Sequence, residues 1–241
     1  TIGTTATPTT SAVSPFTISK GNPVRVYIAN QQPSAMFLVA SDLNKVINSK
    51  GLILEGTKSF YASFRVKSDN HAETLILKGK EGLGTEFRLG SLPQNYTGDS
   101  RNFVTSFMAT ENNTNIDVTD YDTDVVFHSN GSDVLSNTLN YRLNAGQVVV
   151  ISGYTNTQAN LAGFVGALVT SDKPIVVNSG NALAGMGTPT DGQDFTLDQI
   201  VPVQKVGTEY ALVRGNGSNL SEFPLVIATQ DNTQIFVNGN T

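Results

Sequence analysis

One pattern recurs four times along this chain and constrains its fold more than any other feature: an apolar run, a short polar turn, and a second apolar run. Phe64-Arg65-Val66 leads through Lys67-Ser68-Asp69-Asn70 to Thr74-Leu75-Ile76-Leu77. Phe107-Met108-Ala109 leads through Thr110-Glu111-Asn112-Asn113 to Thr114-Asn115-Ile116-Asp117-Val118. Ala167-Leu168-Val169 leads through Thr170-Ser171-Asp172-Lys173 to Pro174-Ile175-Val176-Val177. Val226-Ile227-Ala228 leads through Thr229-Gln230-Asp231-Asn232 to Thr233-Gln234-Ile235-Phe236-Val237. Apolar β-branched residues favour strands, and Asn, Asp, Ser and Thr bond their own backbone where a chain turns. The expected unit is therefore an antiparallel hairpin, and the expected class is all-β.

The alternate copies also share flanks. Gly84-Thr85-Glu86-Phe87 precedes the second copy and Gly207-Thr208-Glu209-Tyr210 precedes the fourth, so a two-hairpin module occurs twice. This divides the chain into an extended Thr/Ser/Pro-rich arm over 1–22, a first β module over 23–122 and a second over 123–241, the last ending part-way through its pattern. Repeats of this size suit a propeller-like arrangement of four-stranded blades, with tandem β-sandwiches as the alternative. Alternation predicts a core of Phe64, Val66, Phe107, Phe164, Leu168, Val176, Leu225, Ile227, Ile235 and Val237. A short helix or hairpin is expected over 41–47.

Composition removes whole classes of function. The chain has no Cys, which excludes disulfide scaffolds, thiol nucleophiles and zinc–thiolate sites. A net charge of -5 argues against nucleic acid as a partner. No apolar run approaches the roughly 18–20 residues of a membrane-spanning helix. The two histidines, His71 and His128, stand in no H-E-x-x-H pattern, and no G-x-S-x-G elbow is present. Gly185-Met186-Gly187 is followed by its next glycine only at Gly192, so the dinucleotide fingerprint fails. No enzyme activity is expected.

Two sites remain. The second module is longer than the first, and the surplus falls in and just beyond 179–194. Insertions in repeat proteins map to loops, often on the binding face. Asn181, Met186, Thr188, Asp191, Gln193 and Asp194 are the candidate ligand-binding residues. The other site is acidic. Asp120, Asp122 and Asp124 alternate, and on an extended strand they would share one face, where a hard cation such as calcium would relieve their repulsion. Val125 and Gly131 stand where an EF-hand loop carries Gly and Glu, so that motif is rejected. No other cofactor is expected. Arg88 and Arg214, in near-equivalent places, are expected to pair with Glu86 and Glu209.

An ordered set of motifs carries a family resemblance: Val169-Thr170-Ser171-Asp172-Lys173-Pro174-Ile175-Val176-Val177, then Asp198-Gln199-Ile200-Val201-Pro202, then Val206-Gly207-Thr208-Glu209-Tyr210, then Ala228-Thr229-Gln230-Asp231-Asn232-Thr233. Together they resemble the IgGFc-binding-protein N-terminal domain family over about residues 50–241. In bacteria such domains open very large secreted surface proteins, many from gliding Bacteroidetes that export them by the type IX system. The resemblance implies a secreted, cell-surface adhesin or recognition module whose partners are an extracellular protein or glycan surface, the rest of a longer chain and secretion machinery. It does not imply antibody binding, and it transfers no binding residues. A structural stalk or filament subunit is the alternative, with a carbohydrate-active enzyme on a propeller behind it.

Overall fold

Alternating apolar and polar residues favour extended backbone with one buried face. The computed structural model describes residues 16–21, 40–48, 50–68, 71–129, 132–185, 192–217 and 222–237. Among them are eleven strands, four short 3-10 turns and no α-helix. The strands are β1 (Ser63–Ser68), β2 (His71–Ile76), β3 (Leu83–Arg88), β4 (Gly98–Ala109), β5 (Thr114–Thr119), β6 (Val126–Ser129), β7 (Ser132–Leu135), β8 (Leu139–Leu143), β9 (Val148–Thr155), β10 (Leu168–Gly180) and β11 (Asp198–Gln199). The protein is all-β, and every pairing is antiparallel. The expected segment over 41–47 holds the end of the 3-10 turn Ala40–Asp42 and a bridge from Ile47 to Val148.

Seven strands share one curled sheet, flanked by the β1–β2 and β6–β7 hairpins. The sheet consists of three long lanes. In the middle lane β4 and β5 lie end to end, because both run antiparallel to β10: Ala109 faces Ile175, and Ile116 faces Ser171. On its far side β9 and β8 also lie end to end, β9 along β4 and β8 along β5. The third lane is β10 itself, edged by β3 and β11. Strands from both sides of residue 122 interleave, β5 lying between β8 and β10.

This topology corrects the repeat reading. The first copy is a true hairpin, β1–β2. The second is a corner at which the middle lane bends without reversing. The third is a single strand, β10, whose register shifts between Thr170 and Ile175. Among the described residues the sheet is not divided into four-stranded blades.

The three lanes bend along one line, and polar side chains hold it. Asp172 accepts from the Asn115 backbone N–H at 2.8 Å and from Asn115 Nδ2 at 2.6 Å. Thr110 donates its hydroxyl to the Pro174 carbonyl at 2.6 Å. Asn113 N–H donates to Asn144 Oδ1 at 3.0 Å, and Ala145 N–H to Asn112 Oδ1 at 3.1 Å. Thr114 Oγ1 donates back to the Glu111 carbonyl at 2.8 Å, while Asn113 takes a left-handed φ of 57°. Asn tolerates that region better than most side chains. The Asn, Asp and Thr of the repeat are thus corner pins, closing backbone groups that the interrupted ladders leave open.

The core lies on the concave face. Phe103 and Phe107, Ile116 and Val118, Val149 and Ile151, and Val169, Ile175 and Val177 point inward from their strands. Phe103 stacks on Phe164 at 4.5 Å between ring centroids, and Phe127 meets both edge-on. Edge-to-face and offset aromatic pairs add about 0.5–1.5 kcal/mol beyond their buried area. Gly153 is required here, since a Cβ would stand 2.5 Å from both the Phe103 ring and the Val126 carbonyl. Of the expected core, Phe107 and Phe164 are buried. In β10 the phase is off by one residue: Val169, Ile175 and Val177 are buried, not Leu168 and Val176. Leu225, Ile235 and Val237 are exposed.

Candidate functional site

The long connection after β10 begins with a strained joint. Gly180 has φ 151°, and a Cβ there would stand 1.9 Å from the Thr196 carbonyl oxygen. Only glycine lets the strand end press so closely against the returning chain. Asn181 follows and is fully buried. Its Nδ2 donates to the Asn102 carbonyl at 2.7 Å and to the Leu92 carbonyl at 3.3 Å. Its Oδ1 accepts from Leu92 N–H at 2.7 Å and from the Thr196 hydroxyl at 2.8 Å. The amide is fully engaged in fixing three chain segments together, so Asn181 supports the loop and is not displayed to a ligand.

Beyond it the loop is laced to β4 and β2. Asn102 Oδ1 accepts from the N–H groups of Ala182 at 2.9 Å and Leu183 at 3.2 Å. Ala184 and Asp194 exchange two backbone hydrogen bonds of 2.9 Å each, closing the loop like the last rung of a hairpin. Gly185 N–H donates to Gln94 Oε1 at 3.1 Å. Asp194 Oδ1 accepts from Ala72 N–H at 2.8 Å and from Phe195 N–H at 2.9 Å. His71 donates its Nδ1–H to the Gln193 carbonyl at 2.7 Å and meets the Phe195 ring edge-on.

The candidate residues therefore separate. Asn181, Gln193 and Asp194 are brought together at the root of the loop. Met186, Thr188 and Asp191 lie outside the described residues. His71, Asn102 and Gln94 belong to the same root and were not singled out from sequence. Their partners are between 79 and 122 residues away, a separation that no local pattern signals.

Beside Asn181, a crevice lined by Gln94, Phe103, Asn160 and Phe164 encloses at most about 170 Å³. That is below the roughly 300–1,000 Å³ of small-molecule sites.

The acidic stretch is not a strand face. β5 ends at Thr119, Asp120 has φ 57°, and residues 120–124 form a turn. Asp120 pairs with Arg88 at 2.9 Å, so Arg88 does not pair with Glu86 as expected. Asp122 Oδ1 accepts from Asp124 N–H at 2.9 Å, and its carbonyl accepts from Val125 N–H at 3.0 Å. Among the described residues no group of three or more His, Asp or Glu is arranged to hold a metal ion. Arg214 pairs with Glu222 at 3.4 Å, not with Glu209. Two tyrosines near turns are packing residues. Tyr141 is half-buried with its hydroxyl bonded to Asn44 Oδ1, and burial pushes its pKa up. Tyr121 donates to the Ser136 carbonyl at 2.9 Å, and burial raises it as well.

The model of one family, described as IgGFc binding protein, matches residues 72–241. The chain belongs to the IgGFc-binding protein family. The matched span takes in the whole curled sheet, the pinned loop root apart from His71, and both copies of the corner motif. Searches of curated proteins and of solved structures find no match. Among the described residues no helix is long and apolar enough to cross a membrane.

Proposed function

We propose that the chain is the N-terminal portion of a secreted cell-surface recognition protein. It binds a protein or glycan surface non-covalently, through the loop between Asn181 and Asp194, and performs no chemistry on it. The observation that carries this reading is the loop root. A nine-residue excursion between the bonded pair Ala184 and Asp194 is fixed on one side by Asn181, Asn102 and Gln94, and on the other by His71 and Ala72. A rigid root lowers the ordering cost that a binding loop incurs on association. Membership of a family named for binding an extracellular protein supports the same class of function. Export by the type IX system and a role as an adhesin of gliding Bacteroidetes rest on the sequence resemblance.

Deleting residues 186–192 tests this. The deletion leaves Gly185-Gln193 as a two-residue turn between the bonded pair Ala184 and Asp194, a Gly-x order that suits a type II′ hairpin. Shortening the loop from nine residues to two lowers its closure entropy by about 1 kcal/mol. The intact chain is expected to bind a member of an immobilised panel of mucins, matrix proteins, immunoglobulin Fc and glycans. The deletion variant should lose that binding with an unchanged or higher Tm. Binding that survives the deletion would remove the loop from the site.

A further inference from the structure

Residues 206–236 run without an assigned strand among those described, yet their sequence is a strand sequence. They expose apolar side chains: Tyr210 is 77% exposed, Leu212 78% and Val213 93%, while Val226, Ile235 and Phe236 are each more than half exposed. Large apolar side chains left this open within one stretch of sequence point to a surface that another element covers.

The first copy of the module shows what such a segment is built to meet. Thr110-Glu111-Asn112-Asn113-Thr114 recurs as Thr229-Gln230-Asp231-Asn232-Thr233, and the backbone recurs with it. Asn113 has φ 57° and Asn232 φ 58°. Thr114 Oγ1 donates to the Glu111 carbonyl at 2.8 Å, and Thr233 Oγ1 donates to the Gln230 carbonyl at 2.8 Å. The burial does not recur. Phe107 and Ile116 are fully buried, while their counterparts Val226 and Ile235 lie open. In the first copy β9 and β8 cover one side of this lane and β10 the other. The corner thus forms from local sequence, and the cover is a separate set of strands.

We propose that residues 207–237 are the opening half of a second corner module. Its occupant is a set of antiparallel strands built like β8, β9 and β10, lying C-terminal to it in the same polypeptide. Element order selects that source. In the first copy every covering strand follows β5 in sequence, and a repeat of the module repeats that order. The occupant has apolar residues at alternate positions and, at its bend, an acceptor to take the place of Asp172.

The test appends residues 119–182 of this chain directly after Val237, which continues the register of the first copy, and compares the product with the 241-residue chain. Amide exchange over 207–237 should slow by about 100-fold or more, and apolar dye binding should fall. A second measurement does not depend on the extension folding. Ile235→Asp in the 241-residue chain should leave Tm unchanged, whereas Ile116→Asp at the buried counterpart should lower it by 10 °C or more, about 3 kcal/mol for a chain of this size. The proposal is overturned if Ile235→Asp lowers Tm as Ile116→Asp does. Amides over 207–237 that already exchange as slowly as those of β4 would overturn it too. So would an extended chain that gains a second cooperative unfolding transition but leaves 207–237 unprotected, or a stable dimer of the 241-residue chain that Ile235→Asp dissociates, since a second copy would then be the occupant.

Discussion

Replacing Asn181 separates a buried support from a displayed ligand contact. In Asn181→Ala the Leu92 N–H and the Asn102 carbonyl lose their amide partner, and the Thr196 hydroxyl loses its acceptor. A buried polar group left unpaired costs about 1–3 kcal/mol. Leu92 and Asn102 are half-buried and Thr196 can turn to water, so the lower part of that range applies to the first two groups. The expected loss is about 2–3 kcal/mol. With a urea m-value of about 2–3 kcal/mol/M, the midpoint falls by about 1 M. The chain has no Trp, so far-ultraviolet circular dichroism is the appropriate probe. Asn181→Asp sharpens the test. The carboxylate still accepts from Leu92 and Thr196 but points an ionised oxygen at two carbonyls. Its folded-state pKa then rises above the ordinary value, so the folded state holds the proton more tightly than the unfolded state does. Stability therefore increases as pH falls from that raised value toward about 3.9. Asn181→Ala within 0.5 kcal/mol of the parent, with binding lost, would refute the supporting role and return the residue to the ligand.

Three further outcomes follow from the geometry. Gly180→Ala should destabilise the chain by about 3 kcal/mol or more in urea titrations, because it combines a disfavoured φ with a Cβ 1.9 Å from the Thr196 carbonyl oxygen. Burial holds the folded Tyr121 and Tyr141 phenols above the unfolded value of 10.0, so stability is lost as pH rises past 10, and ultraviolet titration should show two tyrosines ionising late, together with unfolding. Hydrogen bonds from the Asn115 backbone and side chain hold Asp172 below its unfolded value of 3.8, so its contribution is present above that pH and lost as pH falls through the depressed value; Asp172→Asn should flatten this part of the acid limb of the stability curve.

The strand class was readable because it depends on local preference: Val, Ile, Thr and Phe at alternating positions favour pleated backbone whatever they pair with. The polar turn of the first copy was located correctly, whereas the second copy is a corner and the third is part of one strand. Thr110–Thr114 looks like a reversal because its residues are turn formers. It bends without reversing because its partners, Pro174 and Asn144, come from other lanes of the sheet. In β10 the buried Val169, Ile175 and Val177 keep one alternation phase and Leu168 and Val176 the other, and apolar residues in both phases left the core-facing one undecided by pattern alone. Asn181 drew attention as a polar residue in an insertion, and its burial depends on Leu92, Asn102 and Thr196, which a linear pattern does not bring together. Asp120, Asp122 and Asp124 kept their spacing but not their strand, because β5 ends at Thr119 and Asp120 turns to meet Arg88.

The bend line has a mechanical meaning. Where the three lanes cross it, continuous backbone ladders give way to side-chain bonds at the surface, such as Asn115 to Asp172, Asn113 to Asn144 and Arg142 to Asn113. Exposed bonds of this kind exchange readily with water and contribute only about 0.5–1.5 kcal/mol each. The ladder between β4 and β9 must instead shear many bonds at once. A pull along β10 would straighten the corner before it broke the sheet. The chain would then lengthen at a built-in crease and recover when the load is released, and single-molecule stretching should register this as a small reversible extension ahead of the main rupture.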